Sequence, residues 1–322
     1  MTGRRPATAA ELAAVLLLAA CGAEAPAAQP SLAGGTPPAA TAATAATAPP
    51  DTGCGDPAAS LRPPGATPAP GAFPAASFMR TVQARGRLVV GVPADTLLFG
   101  HRNPTTKQLE GFDVDVARHV ARVMFGADDH VELRPLAPAE RIPAVRDGTV
   151  DLVADMLTMT CAAWRQVDLS TAYYLSGQRV LVGRSSPAQG IQDLGGRRVC
   201  APAGTPAYAV VARAPARPIP VGVTDAADCL ALLQLGEVDG VSSDEALLLG
   251  FAAEDRSVRV VGPRLTSEPY GLGVSQAHPE FVRYLNAVLE RMRADGSWSA
   301  AYDRWLATPG GPAAPPRPLY RD

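Results

Sequence analysis

The sequence predicts an α/β protein built as two hinged lobes with a cleft between them. Three observations predict it. Short apolar strand-like runs alternate with helical patterns, that alternation occurs twice along the chain, and the chain crosses from the first set to the second and back again. Residues 87–92 (RLVVGV) open the first set as a strand. Residues 111–126 (GFDVDVARHVARVMFG) place Phe112, Val116, Val120, Val123 and Met124 at helical spacing. VELRPL then reads as strand, AERIPAVRDG as a helix ended by Gly148, and VDLVADM as strand. The second set runs QRVLVG and RRVCAPAG as strands, a helix from about Pro206, ADCLALLQLGEV as helix, DGVSS as strand and DEALLLGFAAED as helix. VRVVG and GLGVS are further strands, and residues 278–306 read as two closing helices broken at Gly296. The crossings are expected near Gln178–Val182 and Pro269–Val274.

A chain of 322 residues, 47% hydrophobic, is long enough for real cores, which excludes a disulfide miniprotein. With 29 basic and 31 acidic residues the formal charge is -2, so there is no field to hold a nucleic-acid backbone, and no nucleic-acid partner is expected. All but one of the 29 basic residues are Arg, a compositional bias without functional weight. Of the 32 Pro, more than half fall in the two ends of the chain. From 21 to 71 the chain is mostly Ala, Pro, Thr and Gly, too poor in bulky apolar groups to offset ordering entropy, and reads as a disordered tether. Residues 309–322 read as a second disordered tail.

Arg4 and Arg5 precede a short apolar run, Leu12 to Ala20, too short to span a bilayer but right for a secretory signal over residues 1–20. It ends in Leu18-Ala19-Ala20-Cys21-Gly22, which resembles the lipobox of bacterial lipoproteins. That resemblance implies cleavage before Cys21, lipid on its thiol, and an extracytoplasmic protein anchored to the cell membrane. Four cysteines remain, Cys54, Cys161, Cys200 and Cys229, an even number that implies disulfides in an exported chain. Of three connectivities we favour Cys200 with Cys229, since both fall within one expected lobe. Cys54 would then pin the end of the tether to Cys161. The spacings match no zinc pattern, and buried free thiols are the alternative.

RGRLVVGV, GFDVDVA, DLVADMLTMT with VDLS and AYY following, GRRVCAPAGT, GEVDGVSSDEALL, EPYGLGV and the closing DGSW-x4-Y-x-x-WL occur in one order. Together they resemble family 3 extracellular solute-binding proteins over residues 54–308, and most of all the actinobacterial GlnH-type amino-acid-binding lipoproteins, whose tether ends in a stretch like CGDPAASLRP. The resemblance implies a type II periplasmic-binding-protein fold, with lobe one at 72–180 plus 270–308 and lobe two at 181–269. It also implies a monomer that closes on a small polar amino acid or related amine, for a membrane permease or a membrane receptor. No cofactor, metal or catalytic residue is expected: the His are scattered and no HExxH, GxSxG or P-loop is present.

A zwitterion needs an acid for its ammonium and donors for its carboxylate. The resemblance assigns Asp244 the ammonium, places Thr158 and Thr160 at the cleft, gives Gly204 and Thr205 the carboxylate loop and sets Phe99 against the ligand body. Asp244 also suits the N-cap of the helix behind it, and both roles can coexist. His101 reads more simply as a loop histidine, and Tyr270 belongs to the return hinge. Two positions depart from the family. Ala163 stands where relatives carry the Arg that forks the α-carboxylate, and Pro206 lacks the N–H a third loop residue would give. Arg165, two residues on, lies about 200° round a helix. Each charge-assisted hydrogen bond lost costs about 1.5–3 kcal/mol, so three accounts compete. Arg165, Arg102 or another side chain replaces the fork; the ligand lacks an α-carboxylate; or the lobes serve as a protein-contact module. An enzyme such as a dehydratase on the same fold ranks below these. Asp155 would add acid to the cleft if it faces inward.

Overall fold

Two five-stranded sheets organise the chain. The computed structural model describes residues 53–321; the expected signal, Cys21 and the tether up to residue 52 lie outside the described residues. In the first sheet the order is Val131–Pro135, Leu88–Val92, Leu152–Val153, Gly273–Val274, Asp168–Leu169. Its first three strands are parallel, and Gly273–Val274 runs antiparallel to its neighbours. In the second the order is Ile219–Val223, Arg198–Pro202, Gly240–Asp244, Gln178–Gly183, Val258–Val261, again with the first three parallel. Because Gly273–Val274 returns to the first sheet after the second is complete, the chain forms two lobes joined twice. The connecting strands pair antiparallel, Tyr174–Ser176 against Glu268–Tyr270. The outward crossing therefore precedes the expected Gln178, since Gln178–Gly183 already belongs to the second sheet.

Helix Phe112–Phe125 covers the first sheet with the side chains that its spacing marks out: Phe112, Val116, Val120, Val123 and Met124 are all buried. Gly126 ends it in the left-handed region, φ 87°, with its N–H on the Arg122 carbonyl. Helix Pro279–Ala294 packs Phe281, Leu285, Val288 and Met292 into the same core, and Gly296, φ 79°, separates it from Ser297–Trp305 as the glycine break requires. The expected helix over 139–148 is shorter, Arg141–Arg146 after a 3-10 turn at Pro138–Glu140. On the second lobe, helix Glu245–Glu254 buries Leu248 and Leu249. Among the described residues no helix is long and apolar enough to cross a membrane.

The structure differs from the sequence reading at both ends of the described chain. The last residues of the expected tether and the expected tail pair with each other, Ala59–Leu61 parallel to Leu319–Arg321. Composition could not foresee this, because the ordering comes from distant partners. Asn286 Nδ2 donates to Ser60 Oγ at 2.9 Å and to the Leu61 carbonyl at 2.7 Å. Trp164 Nε1 donates to the Pro57 carbonyl at 2.8 Å, and the Arg321 guanidinium stacks 3.5 Å over the Trp164 ring. Disulfides join Cys54 to Cys161 and Cys200 to Cys229.

Candidate functional site

In open α/β sheets ligands meet the loops beyond the carboxyl ends of parallel strands. On the first lobe those loops carry Asp95 after Leu88–Val92, Arg141 after Val131–Pro135, and Asp155 to Thr160 after Leu152–Val153. On the second they carry Gly204 and Thr205 after Arg198–Pro202, while Asp244 ends its own strand. The parallel order of each sheet thus gathers the chemistry-bearing residues to one edge.

A pocket of about 520 Å³ on the first lobe is lined by Arg141, Thr158, Thr160, Ala163 and Gln166 among others. Thr158 bridges to Tyr270 across the hinge, so the lobe-one loop and the return crossing are locked in register. Thr160 caps the short helix Cys161–Trp164, its Oγ1 accepting from the Ala163 N–H at 3.1 Å. Ala163 itself is buried and offers no charge, but Arg141 supplies a guanidinium to the same pocket. Arg141 Nη2 lies 2.7 Å from Asp155 Oδ1, with Asp155 fully buried. Beyond that ion pair, Arg141 Nε and Asp155 Oδ2 are buried with no further hydrogen-bond partner among the described residues. Burial pushes the Asp155 carboxyl up to about 6 against the pull of Arg141, with the Asp95 charge adding to the rise.

Asp244 is partly buried at the hinge. Its Oδ1 accepts three donors: the Ala246 N–H at 2.7 Å, Tyr270 Oη at 2.6 Å and Ser176 Oγ at 3.1 Å. The N-cap reading is therefore met, and Tyr270, assigned to the hinge, also holds the acid. Burial raises Asp244 to about 7, Tyr270 opposes that, and the Glu268 carboxyl within hydrogen-bond reach raises it further. The neighbouring Glu245 is buried under two guanidinium groups, Arg179 Nη1 at 2.8 Å and Arg264 Nε at 2.6 Å, which tie the start of helix Glu245–Glu254 to the hinge.

Gly204 takes φ 74°, and Thr205 caps helix Pro206–Arg213 by accepting from the Tyr208 N–H at 3.3 Å. Pro206 occupies the first helical position, where its missing N–H leaves no intrahelical bond unmade. Gln178 fastens this turn to the Asp244 strand, donating to the Ala207 carbonyl at 2.9 Å and to Ser242 Oγ at 2.7 Å. Phe99 is fully buried, edge-on to Phe112, Tyr174 and Tyr270; it supports the hinge aromatics from behind. Arg165 is exposed at the end of the Cys161–Trp164 turn and is not among the residues lining the Thr158 and Thr160 pocket. Arg102 is exposed and donates to the Lys107 carbonyl at 2.8 Å, and His101 Nε2 lies 3.3 Å from Glu110 Oε1. Sequence reasoning missed Arg141 and Glu268. A lone Arg in an Arg-rich chain carries no local signal; only its position just past a strand end could have marked it. A larger groove of about 770 Å³ between residues 64–81 and helix Pro279–Ala294 is mostly apolar and lies apart from these strand ends.

Comparison with known proteins follows from this geometry. The model of the bacterial extracellular solute-binding proteins, family 3, matches residues 88–308. The ABC transporter glutamine-binding protein GlnH of Bacillus subtilis is 30% identical over 230 residues, 71% of this chain and 84% of that protein. The glutamate-binding protein GluB of Corynebacterium efficiens is 32% identical over 228 residues, 66% of this chain and 76% of that protein. Among solved structures, an ancestral cationic amino acid solute-binding protein superposes with a TM-score of 0.62 at 26% identity, covering 71% of this chain and all of that one.

Proposed function

The chain belongs to family 3 of the bacterial extracellular solute-binding proteins, and from that premise we propose that it closes on a small amino-acid-like solute outside the cytoplasm and presents the closed form to a membrane permease or receptor. The single observation that carries this reading is the acid pair at the hinge. Asp244 sits beside the Glu268 carboxyl at the crossings, its own carboxyl raised to about 7 mainly by burial, and an ammonium set against it would supply the counter-charge that favours its ionised form. Thr158 and Thr160 offer hydroxyls from the first lobe, Gly204 and Thr205 a capped helix start from the second. A ligand touching both lobes binds the closed state better than the open one and so shifts the population toward it. Binding without turnover fits relatives that carry substrate-binding names. The lipid anchor at Cys21 belongs to the same proposal.

Calorimetry on the full chain with glutamine, asparagine, glutamate, aspartate, arginine and simple amines tests it. The expected result is saturable heat with at least one amine-bearing solute, lost by tenfold or more in affinity in Asp244→Ala. Unchanged affinity in that variant would sink the ammonium assignment. Silence across the whole panel would favour the second reading, a protein-contact module, for which Ala163 and Pro206 are the specific observations.

A further inference from the structure

Met156 stands in the first lobe at φ 42°, in the left-handed region that residues with a Cβ rarely take. Here the chain leaves strand Leu152–Val153 and turns toward Thr158 and Thr160. What holds the turn comes from another element. Asp113, fully buried in the first turn of helix Phe112–Phe125, accepts the Met156 N–H on Oδ2 at 2.9 Å and the Tyr173 hydroxyl on Oδ1 at 2.8 Å. Tyr173 is buried too and leads into the outward crossing strand Tyr174–Ser176, its own N–H on the Tyr270 carbonyl at 2.9 Å. Beyond Met156 the loop lies along the return crossing. The Leu157 carbonyl accepts from the Gly271 N–H at 3.0 Å, and the Met159 N–H donates to the Pro269 carbonyl at 2.8 Å. One carboxyl therefore fastens the cleft loop and the outward crossing to the same helix start, and the return crossing closes the ring. Burial raises that carboxyl to about 7; Tyr173 opposes the rise, the Asp155 charge adds to it, and the Met156 N–H and Arg141 oppose it. A strained residue persists only where its surroundings over-determine it, and here the surroundings are a buried acid whose partners are the loop and the hinge.

Resting on the solute-binding reading above, we infer that Asp113 is a positioning residue: through the Met156 N–H it holds the cleft loop in the strained form in which Thr158 and Thr160 line the pocket, and through Tyr173 it ties that form to the crossings. It acts without touching the solute. An amide at position 113 keeps both contacts, its oxygen accepting the Met156 N–H and its NH2 donating to the Tyr173 oxygen. The position therefore requires the acceptor rather than the charge. Glycine at 156 takes the same φ without a Cβ to strain, so a loop carrying it no longer depends on the clamp.

The test is backbone NMR and calorimetry on the full chain, natural and as Asp113→Ala, Asp113→Asn, Met156→Gly and the double variant Asp113→Ala, Met156→Gly. In Asp113→Ala the Met156 amide should exchange roughly tenfold faster and the Thr158 and Thr160 amide resonances should shift, while Val211 in the second lobe stays in place. Whichever of glutamine, asparagine, glutamate, aspartate and arginine binds the natural chain should lose roughly tenfold in affinity. Asp113→Asn regains the resonances and most of the affinity, and adding Met156→Gly to Asp113→Ala regains part of both. Unmoved Thr158 and Thr160 resonances in Asp113→Ala overturn the inference. So does an Asp113→Asn as impaired as Asp113→Ala, or a double variant no better than the single one. If Asp113→Ala does not fold, Met156→Gly alone decides: a higher urea midpoint with Thr158 and Thr160 in place supports the inference, and a lower midpoint overturns it. A panel silent with the natural chain brings down the solute reading, and the positioning role then stands or falls on the resonances.

Discussion

Two acids stand at the carboxyl ends of strands on opposite lobes, and their surroundings differ sharply. Asp244 on the second lobe has three donors on one oxygen and the Glu268 carboxyl beside it. Asp155 on the first is fully buried with a single guanidinium, Arg141 Nη2, 2.7 Å from its Oδ1. The first is held by the hinge itself, through Ser176 and Tyr270 on the two crossing strands, so its orientation is coupled to the angle between lobes. The second is anchored only through its own loop and Arg141. The contrast teaches that burial raises both acids by different routes: Asp244 is oriented by donors on the hinge strands, whereas Asp155 is held against one guanidinium from a neighbouring loop.

The largest effect that could break this comparison comes from Arg141. Replacing it with Met leaves Asp155 buried without a counter-charge, and the expected loss is about 3–5 kcal/mol in urea unfolding, while the double variant Arg141→Met, Asp155→Leu recovers most of it. A loss below about 1 kcal/mol in the single variant would show the pair to be solvated rather than buried.

A second, smaller effect concerns pH. Asp113, Asp155 and Asp244 sit at about 7, about 6 and about 7, each above its ordinary 3.8 and each mainly because of burial. The folded chain therefore holds protons that the unfolded chain has released, so the stability these groups contribute is fully present below about pH 4 and is lost as pH rises through 6 to 7. Stability measured from pH 5.5 to 8 should fall more steeply in the natural chain than in Asp155→Asn. Parallel curves would mean that Asp155 is ionised throughout and satisfied by something other than Arg141.

The smallest effect sharpens the comparison from outside the cleft. The lobe-one pocket wall at Thr160 to Trp164 is fastened by Cys54–Cys161, by the Trp164 bond to Pro57 and by Arg321 over the indole. Deleting residues 317–322 removes the stack and the strand pairing, for an expected loss of about 1–2 kcal/mol. Amide exchange at Ala163 and Trp164 should quicken more than at Val211 in the second lobe. Equal change in both would mean the tail acts on the whole fold rather than on the pocket wall.

Much of this architecture was legible in the chain alone. The buried stripe of helix Phe112–Phe125 follows from its spacing, and the glycine break at Gly296 from the need for a left-handed residue. The N-cap at Asp244 could be read because caps and strand ends are local events, set by a few neighbouring residues. Motif order named the family, since many short signals in sequence do not need a structure to be counted. Tertiary structure alone decided the rest. Arg141 meets Asp155 only because two parallel strands flank Leu88–Val92 and deliver their following loops to the same edge. Phe99, expected against the ligand body, packs edge-on to Tyr174 and Tyr270 because these arrive from two separate crossings. The terminal segments order because Asn286 and Trp164 provide partners that are far away along the chain. Local pattern fixes what a residue can do, whereas charge pairing, burial and proton affinity depend on which distant groups the fold brings within a few ångströms.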